Sequence, residues 1–294
     1  MRCEGCGAEQ ELPPHHFAAV CAFCAAPIVS KGYAKRHVKP RSIVPFQVDR
    51  ARAQEAFRRW VRGLWLAPGE LKRHAQTDAA ITGIYLPFWT YDCRTSSEYA
   101  GERGEDYTAT EPVTTRDASG KTVTRMQQVV KTRWSPVAGR VERFHDDVLV
   151  LASESLPHGV RGAAQGWDLK ALVPYQPEFV SGHLAEAYQV GLKAAFPVAR
   201  DTIDAQVHDA VRRDIGGDRQ RVARVDTRYD EVKFKHVLLP VWVSAYRYRD
   251  KAYRFVVNGQ TGEVAGESPV SWQKTTLIVV GVVIWLLFLA WLLG

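Results

Sequence analysis

Apolar residues recur at helical spacing shortly after residue 49. Six of them fall on one stripe of a helix: Ala53, Ala56, Phe57, Trp60, Val61 and Leu64. Asp49 precedes this stripe, where a short acidic side chain can cap a helix N-terminus, and Gly63 lies near its end. Pro68 suits the first turn of a second short helix that would reach about Gln76. We therefore predict a basic linker with amphipathic helices over residues 38–80.

The pattern changes to strand-like alternation further along the chain. Ile81–Tyr91 is rich in β-branched and aromatic residues, residues 107–150 alternate as hairpins do, and Arg221–Ser268 contains further strand patterns. Strands that are interrupted by only a few helices favour an α+β fold with a mainly antiparallel sheet. We predict one such domain over residues 81–271.

A short motif occurs twice within this domain. Leu86–Trp89 and Leu239–Trp242 both read Leu-Pro-x-Trp, and each follows a helical stretch and opens a strand-like run. The second copy follows a helix that is predicted from Pro197 to Ile215. The motif suggests a degenerate internal repeat of a helix and antiparallel strands. Proline belongs at the start or the edge of a strand, which predicts where both copies lie.

The last twenty residues, Thr275–Gly294, contain no charged side chain. Twenty helical residues span roughly 30 Å, the thickness of a bilayer core. Trp272 and Trp291 lie near the ends of this stretch, and Lys274 lies on its N-terminal side. The pattern predicts a single-pass transmembrane helix over 275–294, located in the inner (cytoplasmic) membrane with the N-terminal bulk in the cytoplasm.

Four cysteines form two CxxC pairs near the N-terminus. Their spacing predicts a zinc ribbon over residues 1–37, with four ligands: Cys3, Cys6, Cys21 and Cys24. Four thiolates fill the tetrahedral shell of Zn²⁺, so the predicted zinc is structural. His15 and His16 lie between the pairs and are alternative ligands. No apolar stretch precedes Cys3, so we expect no secretory signal and reduced thiols.

The net charge of +7 is concentrated in one segment. Lys31–Arg62 carries ten Lys or Arg residues against Asp49 and Glu55, a local charge of 10 − 2 = +8. Eight of these residues are the predicted contacts for an anionic partner: Lys35, Arg36, Lys39, Arg41, Arg52, Arg58, Arg59 and Arg62. Nucleic acid and anionic lipid are both suitable partners for residues 31–62, and a solvated helix face is the alternative.

The sequence contains no complete catalytic motif. Gly120-Lys121-Thr122 lacks the upstream glycine of a P-loop. Asp146 and Asp147 are adjacent in a strand-like segment, where they are expected to lie on opposite faces. Cys93 stands apart from the other cysteines and is expected to be an ordinary strand residue. We therefore predict that the chain is not an enzyme.

Several segments are distinctive together: Phe57–Trp60 with Leu64–Pro68, Tyr85–Tyr91, Asp146–Val150, Asp214–Asp218 and Leu239–Trp242. With the cysteine pairs and the apolar tail, they resemble a bacterial family of zinc-ribbon proteins with a C-terminal transmembrane helix. The resemblance covers nearly the whole chain. Members are often labelled primosomal protein N′ (replication factor Y) or superfamily II helicase. A helicase motor needs a P-loop and two α/β lobes, which this sequence does not show, so the resemblance implies no catalytic residues.

These patterns favour a non-enzymatic adaptor or scaffold that is anchored in a membrane. The cysteine pairs and the basic segment would recruit a protein partner, whose identity the sequence does not give. The alternative is a nucleic-acid-binding protein, associated with replication or a helicase but without a motor of its own.

The cysteine spacing generates a direct prediction. Chain purified under reducing, zinc-replete conditions should contain about one zinc ion per molecule, because four thiolates hold one tetrahedral ion. Elemental analysis measures this ratio, and Cys3→Ser together with Cys21→Ser should abolish it. A metal-free chain after such a preparation would contradict the predicted site.

Overall fold

The computed structural model describes residues 16–20, 27–29, 38–65, 67–68, 81–116, 122–156, 166–248, 251–268 and 272–293. This described part is mostly strand, 51% against 27% helix. The chain divides into two compact units. The first comprises Met1–Trp89, Leu151–Ala195 and Lys235–Gly294, and the second comprises Thr90–Val150 and Phe196–Phe234.

The described elements alternate irregularly along the chain. The strands are β1 (His16–Val20), β2 (Pro27–Val29), β3 (Ser42–Ile43), β4 (Thr82–Arg116), β5 (Thr122–Leu151), β6 (Val173–Pro174), β7 (Leu184–Glu186), β8 (Arg219–Tyr248), β9 (Lys251–Asn258) and β10 (Val264–Gly266). The α-helices are α1 (Arg50–Gly63), α2 (Leu192–Ile215) and α3 (Trp272–Leu293). Two 3-10 helices cover Leu169–Ala171 and Pro177–Val180.

The strands of the first unit pair in the order β10-β9-β8-β4-β7-β1-β2. β9 is antiparallel to both β8 and β10, whereas β7 is parallel to β4 and antiparallel to β1. β3 lies beside this path and pairs with β6 and β8. The sheet is therefore mixed, with the N-terminal strands β1 and β2 continuing its edge.

Helix α1 packs on the first unit through the apolar stripe that the sequence predicts. Asp49 caps the helix, since its carboxylate accepts a hydrogen bond from the Arg52 N–H at 2.8 Å. Phe57 is buried, and its ring stacks on Phe255 with the centroids 3.7 Å apart. Val61 is buried in the same cluster. The predicted amphipathic helix is confirmed, including its N-cap and its end at Gly63.

A second core in the first unit is built on aromatic contacts. The His183 ring stacks on Phe46 with the centroids 4.2 Å apart and meets Tyr85 and Trp242 edge-on. A Cβ at Gly83 would lie 2.4 Å from His183 Nδ1, so only glycine fits there without displacing the ring. Burial, and secondarily the charge of Arg50, lowers the pKa of His183.

The second unit consists of three long strands and most of helix α2. β4 lies between β5 and β8. Helix α2 contacts one face of all three strands through three hydrogen bonds: Asp214 with Tyr99, Gln206 with His145 and Asp204 with Tyr229. Four residues of α2 form a fully buried stripe: Ile203, Val207, Val211 and Ile215. Strand residues Cys93, Thr95, Ser97 and Tyr99 are buried on the alternate positions of β4. The opposite face of the strands is exposed, as period-2 alternation requires.

The predicted fold class is wrong in two respects. The N-terminal strands do not form a separate ribbon, because β1 pairs with β7 and belongs to the sheet of the first unit. Strands also make up a larger share of the described residues than the α+β prediction allowed, because the strand pattern extends over residues 107–116 and 122–150. It produces two strands of 35 and 30 residues, β4 and β5, instead of several short hairpins.

The predicted membrane anchor is also wrong. A crossing helix needs about 20 consecutive apolar residues. Among the described residues, no helix combines the length and the apolar character that a crossing requires. Three predictions are therefore wrong: the transmembrane helix over 275–294, the integral single-pass association with a membrane, and the inner-membrane localisation.

The prolines occupy different positions from those predicted. Helix α2 begins at Leu192, so Pro197 lies inside the helix and not at its start. Pro87 and Pro240 both lie within long strands. Pro240 falls between Leu238, the last β8 residue paired with β3, and Val241, the first paired with β9. The missing N–H of Pro240 therefore interrupts neither the pairing with β3 nor the pairing with β9.

The environment of His183 generates a prediction about pH. Its folded-state pKa lies below the unfolded value of about 6.5, so the unfolded chain binds the proton more tightly. The contribution of neutral His183 to the free energy of unfolding should be fully present above pH ~6.5. It should fall as the pH drops towards the folded-state pKa, by up to about 1.4 kcal/mol per pH unit. Urea unfolding between pH 5 and 7.5 measures this slope.

His183→Gln supplies the matched control for that slope. The variant should be less stable at neutral pH because it loses the ring stacking, yet its stability should depend less on pH. If His183→Gln shows the same dependence of stability on pH as the unmodified chain, His183 is not the source of that dependence.

Candidate functional site

The exposed strand face of the second unit holds a groove of about 460 Å³. Arg94 and Ser96 of β4 alternate with the buried Cys93 and Thr95, so these two side chains face away from α2. Ten residues from β4, β5 and β8 line the groove, among them four arginines: Arg94, Arg140, Arg143 and Arg228. Three distant segments of sequence therefore supply one arginine-rich surface.

Acidic residues hold three of the groove arginines in place. The pairs join an arginine Nε to a carboxylate oxygen at 3.3–3.4 Å: Arg94–Glu231, Arg140–Glu142 and Arg228–Asp230. Arg140 Nε also donates to Ser96 Oγ at 2.8 Å. Each pair is well exposed, so its contribution to stability is small. Its effect is to orient the guanidinium groups.

The groove also has an apolar wall. Phe144 is 56% exposed, and Arg94 Cζ lies 5.8 Å from the centre of its ring. A second groove of about 370 Å³ adjoins the first, since both are lined by Ser96, Arg140 and Arg228. Together they make an elongated surface that offers cationic, polar and aromatic contacts.

A Thr–His–Gln arrangement lies beneath this face, towards α2. His145 Nδ1 is 2.8 Å from Gln206 Oε1, which can only accept, so Nδ1 carries the proton. His145 Nε2 lies 3.0 Å from the Thr95 hydroxyl, which also lies 3.5 Å from the Arg143 carbonyl oxygen. A hydroxyl, a base and an orienting group in this order also characterise nucleophilic sites. Here Thr95 and His145 are each only 3% exposed, which favours a structural network.

Three carboxylates of the second unit lie close together, contrary to our expectation. Potential ligand atoms of Asp92, Asp146 and Asp147 lie within 4.8 Å of one another. Asp147 has φ +49°, which interrupts the alternation of β5, and its N–H donates to Asp92 Oδ1 at 2.9 Å. The expected placement of Asp146 and Asp147 on opposite faces is therefore wrong. Three carboxylate oxygens could supply about half of the ligands of Ca²⁺.

Cys93 lies in the second unit and is fully buried in β4. Burial, and secondarily the Asp92 carboxylate, raises the pKa of its thiol. A thiol with a raised pKa is a poor nucleophile, which is in keeping with the expected ordinary strand residue.

The predicted site residues fall into two groups. The zinc ligands Cys3, Cys6, Cys21 and Cys24 lie outside the described residues, as do Lys35 and Arg36. Lys39 and Arg41 are exposed in the segment before β3. The remaining basic residues are exposed on α1: Arg52, Arg58, Arg59 and Arg62. Arg52 and Arg59 form ion pairs with Asp49 and Glu55, which reduces the positive charge of that helix.

Sequence reasoning missed the groove arginines. Their nearest sequence signal is an arginine followed two residues later by an acid, as in Arg140-x-Glu142 and Arg228-x-Asp230. In a strand such residues share one face and can pair. The signal marks an exposed face, but it does not show which strands come together.

Comparisons with known proteins give little functional information. The chain is 25% identical over 250 residues to the uncharacterized protein YdjG of Bacillus subtilis (strain 168). The match covers 81% of this chain and 66% of YdjG, just under two thirds of that protein. No family model matches the chain, and no solved structure matches it. The resemblance to zinc-ribbon proteins stays a prediction.

The His145 network generates a stability prediction. Thr95→Val keeps the shape of the side chain but removes the hydroxyl that is hydrogen-bonded to Nε2 of the buried His145. Leaving that nitrogen unsatisfied should cost about 1–3 kcal/mol of unfolding free energy, measured by urea denaturation. The control is Thr202→Val on α2, whose exposed hydroxyl donates to the Val198 carbonyl within the same helix and should matter little. Equal free energies of unfolding for Thr95→Val and Thr202→Val would contradict a structural role of the Thr95–His145 hydrogen bond.

Proposed function

We propose that this chain is a non-enzymatic adaptor that binds a protein partner on the exposed strand face of its second unit. The groove carries this proposal. It has a volume of about 460 Å³ and combines four arginines with an exposed aromatic ring, Phe144. Arginine and aromatic side chains supply most of the binding energy at protein interfaces.

The placement of the titratable groups supports binding over catalysis. His145 is buried and satisfied on both ring nitrogens by Thr95 and Gln206. A general base must reach a substrate proton within hydrogen-bond distance, and a buried ring with two partners does not. Three of the four arginines that line the groove are paired with acids, an arrangement suited to recognition.

The charge balance of the groove favours a protein over a nucleic acid. Four arginines face three acids on the same lining: Glu142, Asp230 and Glu231. The excess is 4 − 3 = +1, whereas a phosphate backbone carries one negative charge per nucleotide. Carboxylates beside the arginines would repel such a backbone. A protein surface with both signs of charge fits better.

Nucleic-acid binding is the second candidate function, and helix α1 favours it. Its exposed face carries Arg52, Arg58, Arg59 and Arg62. Two of these arginines are already paired with Asp49 and Glu55 within the helix. The segment therefore offers less free positive charge than its composition suggests, and we rank this function second.

A structural zinc ion remains part of the proposal, held by Cys3, Cys6, Cys21 and Cys24. The antiparallel pairing of β1 with β2 supports it. Val20 lies opposite Pro27, and the six residues between them include both Cys21 and Cys24. A CxxC pair in a short connection between two paired strands is suited to grip a metal ion. The ion would stabilise this edge of the sheet and take no part in chemistry.

Site-directed crosslinking tests the adaptor function. A photoreactive benzoylphenylalanine in place of Phe144 should give discrete crosslinked products with the full chain in its own cells. The same group in place of Val198, which is exposed on α2 of the same unit, should not. Combined Arg94→Glu and Arg140→Glu should remove the products. Identical products at both positions, or none at Phe144, would exclude docking on this face.

A further inference from the structure

We infer that the protein partner of the exposed strand face is a second copy of this chain, which binds with its own exposed strand face. This inference rests on the adaptor function proposed above and names its partner. Three features of the face support it. They are the opposite charges of its two outer strands, the height at which those charges lie along the strands, and the area of the face.

The two adjoining grooves are close to neutral when they are taken together. Their linings hold four arginines against five acids, a balance of 4 − 5 = −1. These residues are Arg94, Arg140, Arg143 and Arg228 against Glu98, Glu142, Asp226, Asp230 and Glu231. A polyanion or a polycation gains little from such a surface, whereas a surface with both signs of charge in the matching arrangement is attracted to it.

The charges are divided unequally among the three strands. β5, on one side of the face, contributes two arginines against Glu142, which is 2 − 1 = +1. β8, on the other side, contributes Arg228 against three acids, which is 1 − 3 = −2. β4 lies between them and is balanced by Arg94 and Glu98. One side of the face is therefore positive and the other side is negative.

Opposite charges on opposite sides are complementary across a twofold axis that runs along the middle strand. In a dimer with such an axis the same patch of both copies is in contact, and β5 of each copy lies over β8 of the other. The positive strand therefore meets the negative strand twice. Strands of two stacked sheets pack nearly aligned, within about 30°, so this arrangement is an ordinary one for two strand faces.

Hydrogen bonds across the sheet indicate which side chains of β4 and β5 lie at the same height. The Thr95 hydroxyl is 3.5 Å from the Arg143 carbonyl oxygen, which makes these two residues neighbours. Further along the pair, the Thr132 hydroxyl donates to the Asp106 carboxylate at 2.6 Å and fits the same register. The two strands are therefore antiparallel, and the register holds along the whole face.

Arg140 of β5 and Asp226 of β8 lie at the same height, one on either side of Glu98. The register of β5 places Arg140 beside Glu98. The Ser97 and Thr227 hydroxyls are 3.0 Å apart, which places Asp226 beside Glu98 from the other side. Because a twofold axis along β4 preserves this height, Arg140 of each copy meets Asp226 of the other.

The next row of the face repeats this match with the signs reversed. Glu142 of β5 and Arg228 of β8 flank Ser96, so Glu142 of each copy meets Arg228 of the other. Within one chain both arginines use Nε for their ion pairs, Arg140 with Glu142 and Arg228 with Asp230. The terminal N–H groups of a guanidinium are the ones that bind a further carboxylate.

The face is large enough for a dimer of moderate affinity. Over residues 94–106 of β4, three adjacent strands cover roughly 40 Å by 14 Å, or about 600 Å² per copy. Two copies would bury about 1,200 Å² in total, which is the lower limit for stable interfaces. We expect a dissociation constant on the order of 10 µM.

Sedimentation velocity with the full chain tests this inference. Between about 1 and 100 µM chain in 50 mM salt, the sedimentation coefficient should rise from that of a monomer to that of a dimer. The dissociation constant should rise at least about threefold in 500 mM salt, because exposed charge pairs are screened.

Charge reversal locates the interface. Arg140→Asp and Asp226→Arg should each weaken the dimer at least about tenfold, because each places like charges together at both symmetric contacts. A 1:1 mixture of the two variants should restore the affinity to within about threefold, since every such contact of the mixed dimer joins an arginine to an aspartate. Arg212→Asp on α2 is the control and should stay within about twofold, because Arg212 pairs with Asp209 on the helix. Circular dichroism establishes that each variant is folded.

Three results would overturn the inference: a chain that sediments as a monomer at every concentration, a dimer that neither reversal weakens, and a mixture that does not restore association. Crosslinking from Phe144 separates this inference from the adaptor function. A product of twice the chain mass supports both. Products of other masses from a monomeric chain leave the adaptor function in place and refute the second copy. A monomeric chain without products refutes both.

Discussion

Burial of helix α2 against one face of three long strands determines what the opposite face can be. Ile203, Val207, Val211 and Ile215 are almost fully buried, and each such side chain contributes about 1.5–3 kcal/mol through removal from water. Period-2 alternation then sends every second residue of β4, β5 and β8 to the other side. That side is exposed to solvent, so it must carry polar side chains or be covered by a binding partner.

The exposed face meets this requirement with alternating charges. Arg221 pairs with Glu102, Arg219 with Asp106, and three of the groove arginines with acids of the groove. Individually these exposed pairs add little stability. Charged residues of this kind also discourage unwanted strand pairing. The same ion pairs orient the guanidinium groups of the groove, and the proposed binding of a protein partner rests on that arrangement.

Local signals in the sequence were sufficient for the elements that depend on nearest neighbours. The stripe through Phe57 and Val61 and the cap at Asp49 specified α1, because capping and helical periodicity act within a few residues. The alternation after residue 107 correctly predicted strands. Their length could not be read in the same way, since alternating polar residues occur equally in short hairpins and in strands that neighbours extend.

Other features depended on contacts between distant residues. Asp92, Asp146 and Asp147 converge only because Asp147 adopts a positive φ that breaks the alternation of β5. His145 acquires its role from Thr95 and Gln206, which lie 50 and 61 residues away. The arginine groove combines side chains of β4, β5 and β8, so no single segment contains the pattern.

The sequence by itself determined the cysteine pairs, the helix α1, the alternation of the strands and the excess of positive charge. Each is a property of residues that are close along the chain, where periodicity and composition act directly. Only the tertiary structure decided which strands become neighbours and which acids pair with which arginines. These outcomes depend on strand order and register, and a register shift of one residue would move every groove side chain to the buried face.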